Sequence, residues 1–379
     1  MSPPVEAKQV MITAGEASGD LHGAKLVQAL RAQDKTLVFS GIGGPAMRSV
    51  GVSLIMDAAQ LAVVGISEVL LKAPALIKGL AAAKRHLRRQ RPALLILIDF
   101  PDFNLRLAAE AKRVGIPVLY YISPQIWAWR PGRVQKIGGL VDHVAVILPF
   151  EAAFYDRHGV PATFVGHPLM DAARPATTSA PEPGTADFPV IGLLPGSRDR
   201  EITRLLPVML AAAGLLQKRF ANLRVLVSIA PTVQQANVDG IVRRHSIRTA
   251  CEFLAGDVDV IFKRSNLVIA ASGTVTLEAA IAGVPTVIIY KVSPLSYLVG
   301  RLLIRVNRIG LANLIADKEL MPELVQGQAS PEHIANRATK MLDDPSGLGR
   351  LRSALLGVRS LLGGPGASQR VAEIALRMI

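Results

Sequence analysis

The chain has 379 residues, half of them hydrophobic, 4% aromatic and 19% charged; at roughly 100–200 residues per domain that length suggests two domains, and the aliphatic content excludes general disorder and a disulfide-stapled miniprotein. The single cysteine, Cys251, excludes an intramolecular disulfide and a multi-cysteine metal cage, and it fits a reducing, cytoplasmic compartment. The formal charge of +14 divides into +6 for residues 1–171 and +8 for the remainder, which points to an anionic partner (nucleic acid, an anionic membrane or a phosphorylated substrate) unless the arginines serve solubility alone.

The first residues, MSPPVEAKQVMITAGE, show no basic start followed by an apolar run, so no signal peptide is expected. Short β-type runs then alternate with helical segments, the pattern of stacked βαβ units. Strands are predicted at residues 9–14, 36–42, 94–98, 117–122, 143–147 and 163–165, with helices such as 19–33 and 103–113 between them. The run 94–98 has no polar face, as expected of a central parallel strand covered on both sides. The most apolar stretches, 94–98 and 284–290, stop far short of the ~18–20 residues that span a bilayer.

Residues 172–188 are rich in Pro, Ala, Thr and Ser without an apolar period and read as a linker. The alternation resumes with strands at 190–194, 224–229, 267–270 and 286–290, and it closes in a helical stretch, 348–379, broken at Gly363 to Gly366. There is no internal repeat. The expected architecture is two doubly wound α/β domains, residues 1–171 and 189–354. Such sheets bind ligands at the carboxyl ends of their strands near the topological switch point, and a cleft between two such domains is the favoured site.

The loops after the predicted strands carry the chemistry. Gly15, Glu16, Ala17, Ser18, Gly19 and Asp20 form a tight polar turn at a helix start. It matches neither dinucleotide nor P-loop spacing, and its acids would repel a pyrophosphate, so ligand hydroxyls suit it better; the alternative is that Ser18 or Asp20 caps the helix. Gly41-Ile42-Gly43-Gly44-Pro45 permits close backbone approach. Asp99 follows the apolar strand 94–98, where partial desolvation would raise its pKa and make it a general base, with Asp102 as helix cap or supporting group. Next come Ser123, Gln125, Trp127, Trp129, Arg130 and Arg133, in which both tryptophans of the chain lie close to two arginines. This reads as a stacking surface for a sugar or acyl chain beside phosphate-binding arginines, or else as a buried interface.

In the second half, Pro195-Gly196-Ser197-Arg198 and Ala271-Ser272-Gly273-Thr274 each join a strand to a helix. Backbone N–H groups, hydroxyls and a guanidinium there suit a diphosphate, and Glu278, one turn further, can accept from ribose hydroxyls. Asp257-Val258-Asp259 has the form of a metal-binding DxD but lies away from a strand's carboxyl end and reads as a turn. The seven histidines show no HxxxH or HExxH spacing, so no metal is expected. Two basic amphipathic segments remain, 72–91 with seven Lys/Arg and no acid, and 295–314 with Arg301, Arg305 and Arg308 on one helical face. Each can lie on an anionic membrane or be a core helix with a basic edge. With no zinc-finger spacing and no RNP-type aromatic motif, a membrane or lipid phosphate is favoured over nucleic acid.

Taken in order, AGEASGD, GIGGPAM, DFPDFN, YYISPQIWAWRPGRVQKI, LPFEAAFY, FVGHPLMD, LLPGSR and ASGTVTLEAAIAGVPTVI resemble the bacterial lipid-A-disaccharide synthase family over nearly the whole chain. The resemblance implies a GT-B glycosyltransferase with two Rossmann-like domains facing a central cleft. The acceptor and membrane side would be residues 1–171, the UDP-sugar side residues 189–354, and a last helix, about 355–379, would cross back. It implies transfer of 2,3-diacylglucosamine from its UDP conjugate to 2,3-diacylglucosamine 1-phosphate (lipid X), releasing UDP, without cofactor or obligatory metal. The setting would be the cytoplasmic face of the inner membrane, as a peripheral protein, with room for a homodimer. By the same resemblance Asp99 matches the family's essential aspartate, Arg198 its diphosphate-side arginine and Asn313 its essential asparagine, while Glu16 and Glu278 fall on other motif acids. The family commonly has proline before that asparagine, whereas here it is Ala312. Gly196, Ser197, Ser272, Gly273 and Thr274 then belong to the donor side, and Ser18, Asp102, Gln125, Trp127 and Arg130 to the acceptor side. Two other readings stay open. One is a GT-B enzyme of another kind, such as the peptidoglycan glucosaminyltransferase or a UDP-sugar epimerase; the other is a non-catalytic basic membrane-binding protein.

Overall fold

The structure, a computed structural model, describes residues 8–61, 66–129, 131–172, 189–244, 251–256, 258–303 and 306–379. The chain forms two compact units, the first from Met1–Ala172 together with Leu362–Ile379, the second from Ala173–Leu361. Most of the proposed linker, 173–188, lies outside the described residues.

The first unit is built on seven strands: β1 (Gln9–Ala14), β2 (Val38–Gly43), β3 (Ser53–Asp57), β4 (Leu94–Ile98), β5 (Val118–Tyr121), β6 (His143–Val146) and β7 (Ala162–Phe164). Their order is β3-β2-β1-β4-β5-β6-β7, and every described pairing is parallel. Alternate side chains of β4 enter different layers. Leu95 and Leu97 pack with Ala83, Leu87, Leu107 and Ala111 of two helices, Ile66–Gln90 and Pro101–Arg113. Leu94, Ile96 and Ile98 pack on the other face with helix Ala17–Gln33 and with Val371, Ala372, Ile374 and Ala375 of helix Ala367–Arg377. Five buried apolar residues in a row are what a strand covered on both faces requires.

That last helix begins where Asp171 accepts the backbone N–H groups of Gly366 (2.7 Å) and Ala367 (3.1 Å). The Arg370 guanidinium fixes the approach, donating to the carbonyls of Val165, Gly364 and Pro365. Helix Pro345–Leu361 belongs wholly to the second unit, so the return starts at Leu362 and not near residue 355.

The second unit repeats the plan with β8 (Val190–Leu194), β9 (Arg224–Ile229), β10 (Cys251–Ala255), β11 (Leu267–Ala271), β12 (Thr286–Tyr290) and β13 (Glu323–Val325), in the parallel order β10-β9-β8-β11-β12-β13. In each sheet the strand order reverses once, between β1 and β4 and between β8 and β11.

The single basic helix expected over 295–314 is not formed. Helix Pro294–Leu303 and helix Leu311–Ala316 are separate, and residues 306–310 before the second are not helical. The N–H groups of Ile309 and Gly310 donate to the Glu323 carboxylate (2.8 and 2.9 Å), which withdraws them from helical bonding. Arg308 pairs with Asp317 instead of sharing a face with Arg301, and Arg305 lies outside the described residues. The other basic segment is helical, but Arg88 and Arg113 bond the buried Glu110, whose carboxyl their hydrogen bonds, and then their charges, hold down at about 2. No helix among the described residues is long and apolar enough to cross a membrane.

Candidate functional site

In the first unit the loops after β1 and β4 meet at the strand-order reversal. A side chain on Gly15 would place its Cβ 2.3 Å from the Phe100 ring, so only glycine lets that ring seat against the turn. Asp99, Phe100 and Ile122 are all non-glycine residues with left-handed φ, at +46°, +48° and +55°. The Asp99 N–H donates to the carbonyl of Ile122 (3.2 Å), and its own carbonyl accepts from the Tyr120 hydroxyl (2.9 Å) and Asn104 Nδ2 (2.7 Å). Asn104 is itself held by the Thr13 hydroxyl at 2.7 Å. With its backbone clamped on three sides, the half-buried Asp99 carboxyl has its pKa raised, first by burial and then by the Glu16 charge. A carboxylate whose charged form is penalised in this way has the basicity that a proton acceptor needs.

The helix capping expected of Ser18, Asp20 or Asp102 is not made on the helices they begin. Glu16 stands exposed at the cap position of helix Ala17–Gln33 without capping it, and Ser18 is exposed too. Asp20 does cap a helix, though not its own: it accepts from the N–H groups of Gly44, Ala46 and Met47 at 2.7–3.0 Å and so holds helix Pro45–Ser49. That contact explains GIGGPAM, because a Cβ on Gly44 would lie 2.7 Å from the Asp20 carboxylate. Asp102 is no cap; its carboxylate is exposed and pairs with Arg133 at 3.1 Å. On the loop after β5, Gln125 is exposed and Trp127 half-buried. The Trp127 indole N–H donates to Glu151 (2.9 Å), its ring stands edge-on to Phe150 with centroids 4.8 Å apart, and the Arg133 guanidinium lies 6.0 Å from the Trp129 ring centre. Arg130 lies outside the described residues.

In the second unit the loops after β8 and β11 flank the corresponding reversal. Gly196 has φ +117°, and a Cβ there would meet the Glu201 carboxylate. Glu201 accepts the Ser197 N–H at 3.0 Å and pairs with the exposed Arg198 at 3.5 Å, so the chain's own carboxylate occupies the donors expected to meet a phosphate. Sequence reasoning did not single out Glu201; its place three residues after Arg198 in a helical first turn was the available signal. Ser272 gives its N–H to the carbonyl of Ile289, within the sheet. Gly273 and Thr274 are exposed at the start of helix Thr274–Ile281, where N–H groups lack helical acceptors. Glu278 sits half-buried on that helix with its pKa raised by burial and then by Asp259. Asp259 is in helix Val258–Arg264, and Asp257 lies outside the described residues.

Asn313 is held within its own unit. It is fully buried, its amide donates to the Met321 carbonyl and to Glu323 (both 2.7 Å), and its oxygen accepts from Leu320 and Met321 (2.8 and 2.9 Å). Every hydrogen-bonding position of the side chain is taken, so it fixes the turn before β13. Ala312 falls in the first turn of helix Leu311–Ala316, where proline is also tolerated, so the departure leaves that backbone undisturbed.

A protein-family model described as lipid-A-disaccharide synthetase matches residues 10–349. A lipid-A-disaccharide synthase of Geobacter metallireducens is 46% identical over 378 residues, covering 98% of this chain and 97% of that protein. Among solved structures, Acinetobacter baumannii MurG superposes with a TM-score of 0.64 at 16% identity, over 98% of this chain and 99% of that one. A UDP co-structure of S. aureus MnaA superposes with a TM-score of 0.65 at 14% identity, over 98% of each. These likenesses carry the fold, two parallel α/β units of the GT-B type, whereas the sequence relatives carry more. The chain belongs to the lipid-A-disaccharide synthetase family and is a glycosyltransferase.

Proposed function

We propose that the chain condenses UDP-2,3-diacylglucosamine with 2,3-diacylglucosamine 1-phosphate, giving a β-1,6-linked tetraacyl disaccharide 1-phosphate and UDP. The observation that carries this reading is Asp99, a carboxylate of raised pKa on a clamped turn at the strand-order reversal. Asp99 takes the proton of the acceptor's 6-hydroxyl as that oxygen bonds the donor's anomeric carbon. The bond from that carbon to the diphosphate breaks on the opposite face, which inverts the configuration. The charge that develops on UDP is met by Arg198 and by the start of helix Thr274–Ile281, in the manner of fixed dipoles aimed at a leaving group. Glu278 is placed to accept from ribose hydroxyls. The acceptor's sugar or acyl chains lie along Trp127 and Gln125, beside Glu16 and Ser18. The exposed face of residues 74–90, with Ile77, Lys78, Arg85 and Arg89, meets the anionic inner face of the inner membrane.

The test is a chelator-treated detergent-micelle assay with both lipids and mass spectrometry of the product. A disaccharide 1-phosphate with stoichiometric UDP is the expected result. No lipid product, with UDP still bound, would move the reaction to another acceptor.

A further inference from the structure

Glu151 has no part in the transfer chemistry, yet it is the most enclosed acid beside the site, 2% exposed. It is the third residue of helix Pro149–Asp156. One carboxylate oxygen accepts the Trp127 indole N–H at 2.9 Å; the other accepts the backbone N–H groups of Leu148 (3.0 Å) and Ile147 (3.2 Å). Trp127 belongs to the short helix Ile126–Trp129 after β5, Ile147 and Leu148 to the loop after β6, and β5 pairs with β4, which Asp99 directly follows. A single buried carboxylate thus joins two adjacent strand-end loops on the edge that carries Asp99.

Tying down a helix start needs no buried charge, since an exposed serine or aspartate does it. What this carboxylate adds is the bond to the indole, which with the edge-on Phe150 ring leaves Trp127 one orientation. We infer that Glu151 is a positioning residue that locks the Trp127 indole in place and so sets the affinity for the acylated acceptor, without touching the reacting atoms. This rests on the acceptor-side reading above.

The experiment has two arms. In the first, E151A, E151Q, W127F and E151A/W127F are assayed with each substrate varied in turn. E151A and W127F each raise the acceptor KM about tenfold, the size of one lost charge-assisted hydrogen bond, while the donor KM and kcat stay within about twofold. The double variant is no worse than either single one. E151Q keeps an amide oxygen for the indole and recovers most of the affinity. A fall in kcat at unchanged KM, a rise in both KM values, or additive effects would overturn the inference.

The second arm needs no substrate. With W129F, Trp127 is the only tryptophan of the chain, and its emission reports on the carboxyl it bonds. Burial pushes Glu151 up to about 7 against its three N–H donors. The titratable neighbour Tyr155 is itself pushed upward by burial and stays protonated over this range. Emission titrating near pH 7 in W129F and flat in W129F/E151Q is expected, and emission that E151Q leaves unchanged at every pH would overturn the inference. If the unaltered chain turns over no acceptor, the functional reading fails, while this second arm still decides whether Glu151 holds Trp127.

Discussion

Left-handed backbone at a residue other than glycine costs of order 1–3 kcal/mol, and Asp99 and Phe100 both adopt it. Tyr120 and Asn104 offset part of that cost through the Asp99 carbonyl, and the consequence is a carboxylate aimed off the end of a rigid strand. Replacing it with an amide keeps the turn and removes the proton acceptor. Asp99→Asn is therefore expected to lower kcat by at least ~10²-fold with UDP affinity unchanged, as read by turnover assay and calorimetry; near-normal turnover would remove Asp99 from that role. Glu201 poses the opposite case. It engages Ser197 and Arg198, and its charge would oppose a diphosphate bound at that loop. Glu201→Gln is expected to tighten UDP binding by about twofold to fivefold by calorimetry, the scale of one exposed ion pair; weaker binding would mean that Glu201 orients the loop for the ligand.

At the scale of elements, the buried Asn313 and the half-buried Glu323 hold together the start of helix Leu311–Ala316, the turn at Leu320 and Met321, and β13. Asn313→Ala strands two backbone N–H groups and one carboxylate contact. It should cost about 2–4 kcal/mol of stability in chemical denaturation. The same network shows what sequence patterning conveys. Strands buried on both faces, such as β4, β8 and β12, are unbroken apolar runs and were legible to the residue. The strands that escaped notice, β3, β10 and β13, are all at sheet edges, where half-buried residues such as those of Ser53–Asp57 and Cys251–Ala255 mix polar and apolar types. For the site, a carboxylate after an apolar strand marked Asp99 in one dimension. The partner choices of Asp20, Glu151, Glu201 and Asn313 depend on residues brought together from elsewhere in the chain or on a local turn geometry that composition does not specify.

Across the molecule, buried titratable groups pull stability in opposite directions with pH. His22 and His167 are pushed down to about 4, chiefly by burial, with Lys25 adding to the shift of His22 and His22 to that of His167. Below pH 6.5 the unfolded chain takes up protons that these native histidines refuse, so stability declines as pH falls towards 4. Glu151 runs the other way: the folded form binds its proton near pH 7 and the unfolded form only near 4.5, so its contribution grows as pH falls between those values. Removing that compensation exposes the histidines. Between pH 7.5 and pH 5, Glu151→Gln is expected to lose about 2–3 kcal/mol more than the unaltered chain, at 1.4 kcal/mol per pKa unit, in urea unfolding followed by the tryptophans of the first unit; equal losses would mean that Glu151 is ionised throughout. The returning helix Ala367–Arg377 has a bearing on biosynthesis as well. It supplies Val371, Ala372, Ile374 and Ala375 to the layer that also holds β1 and β4, yet it is translated only after all of the second unit. A growing polypeptide can therefore complete its second core before its first, and the amino-terminal half waits on the ribosome with one face uncovered until the last turn of helix emerges.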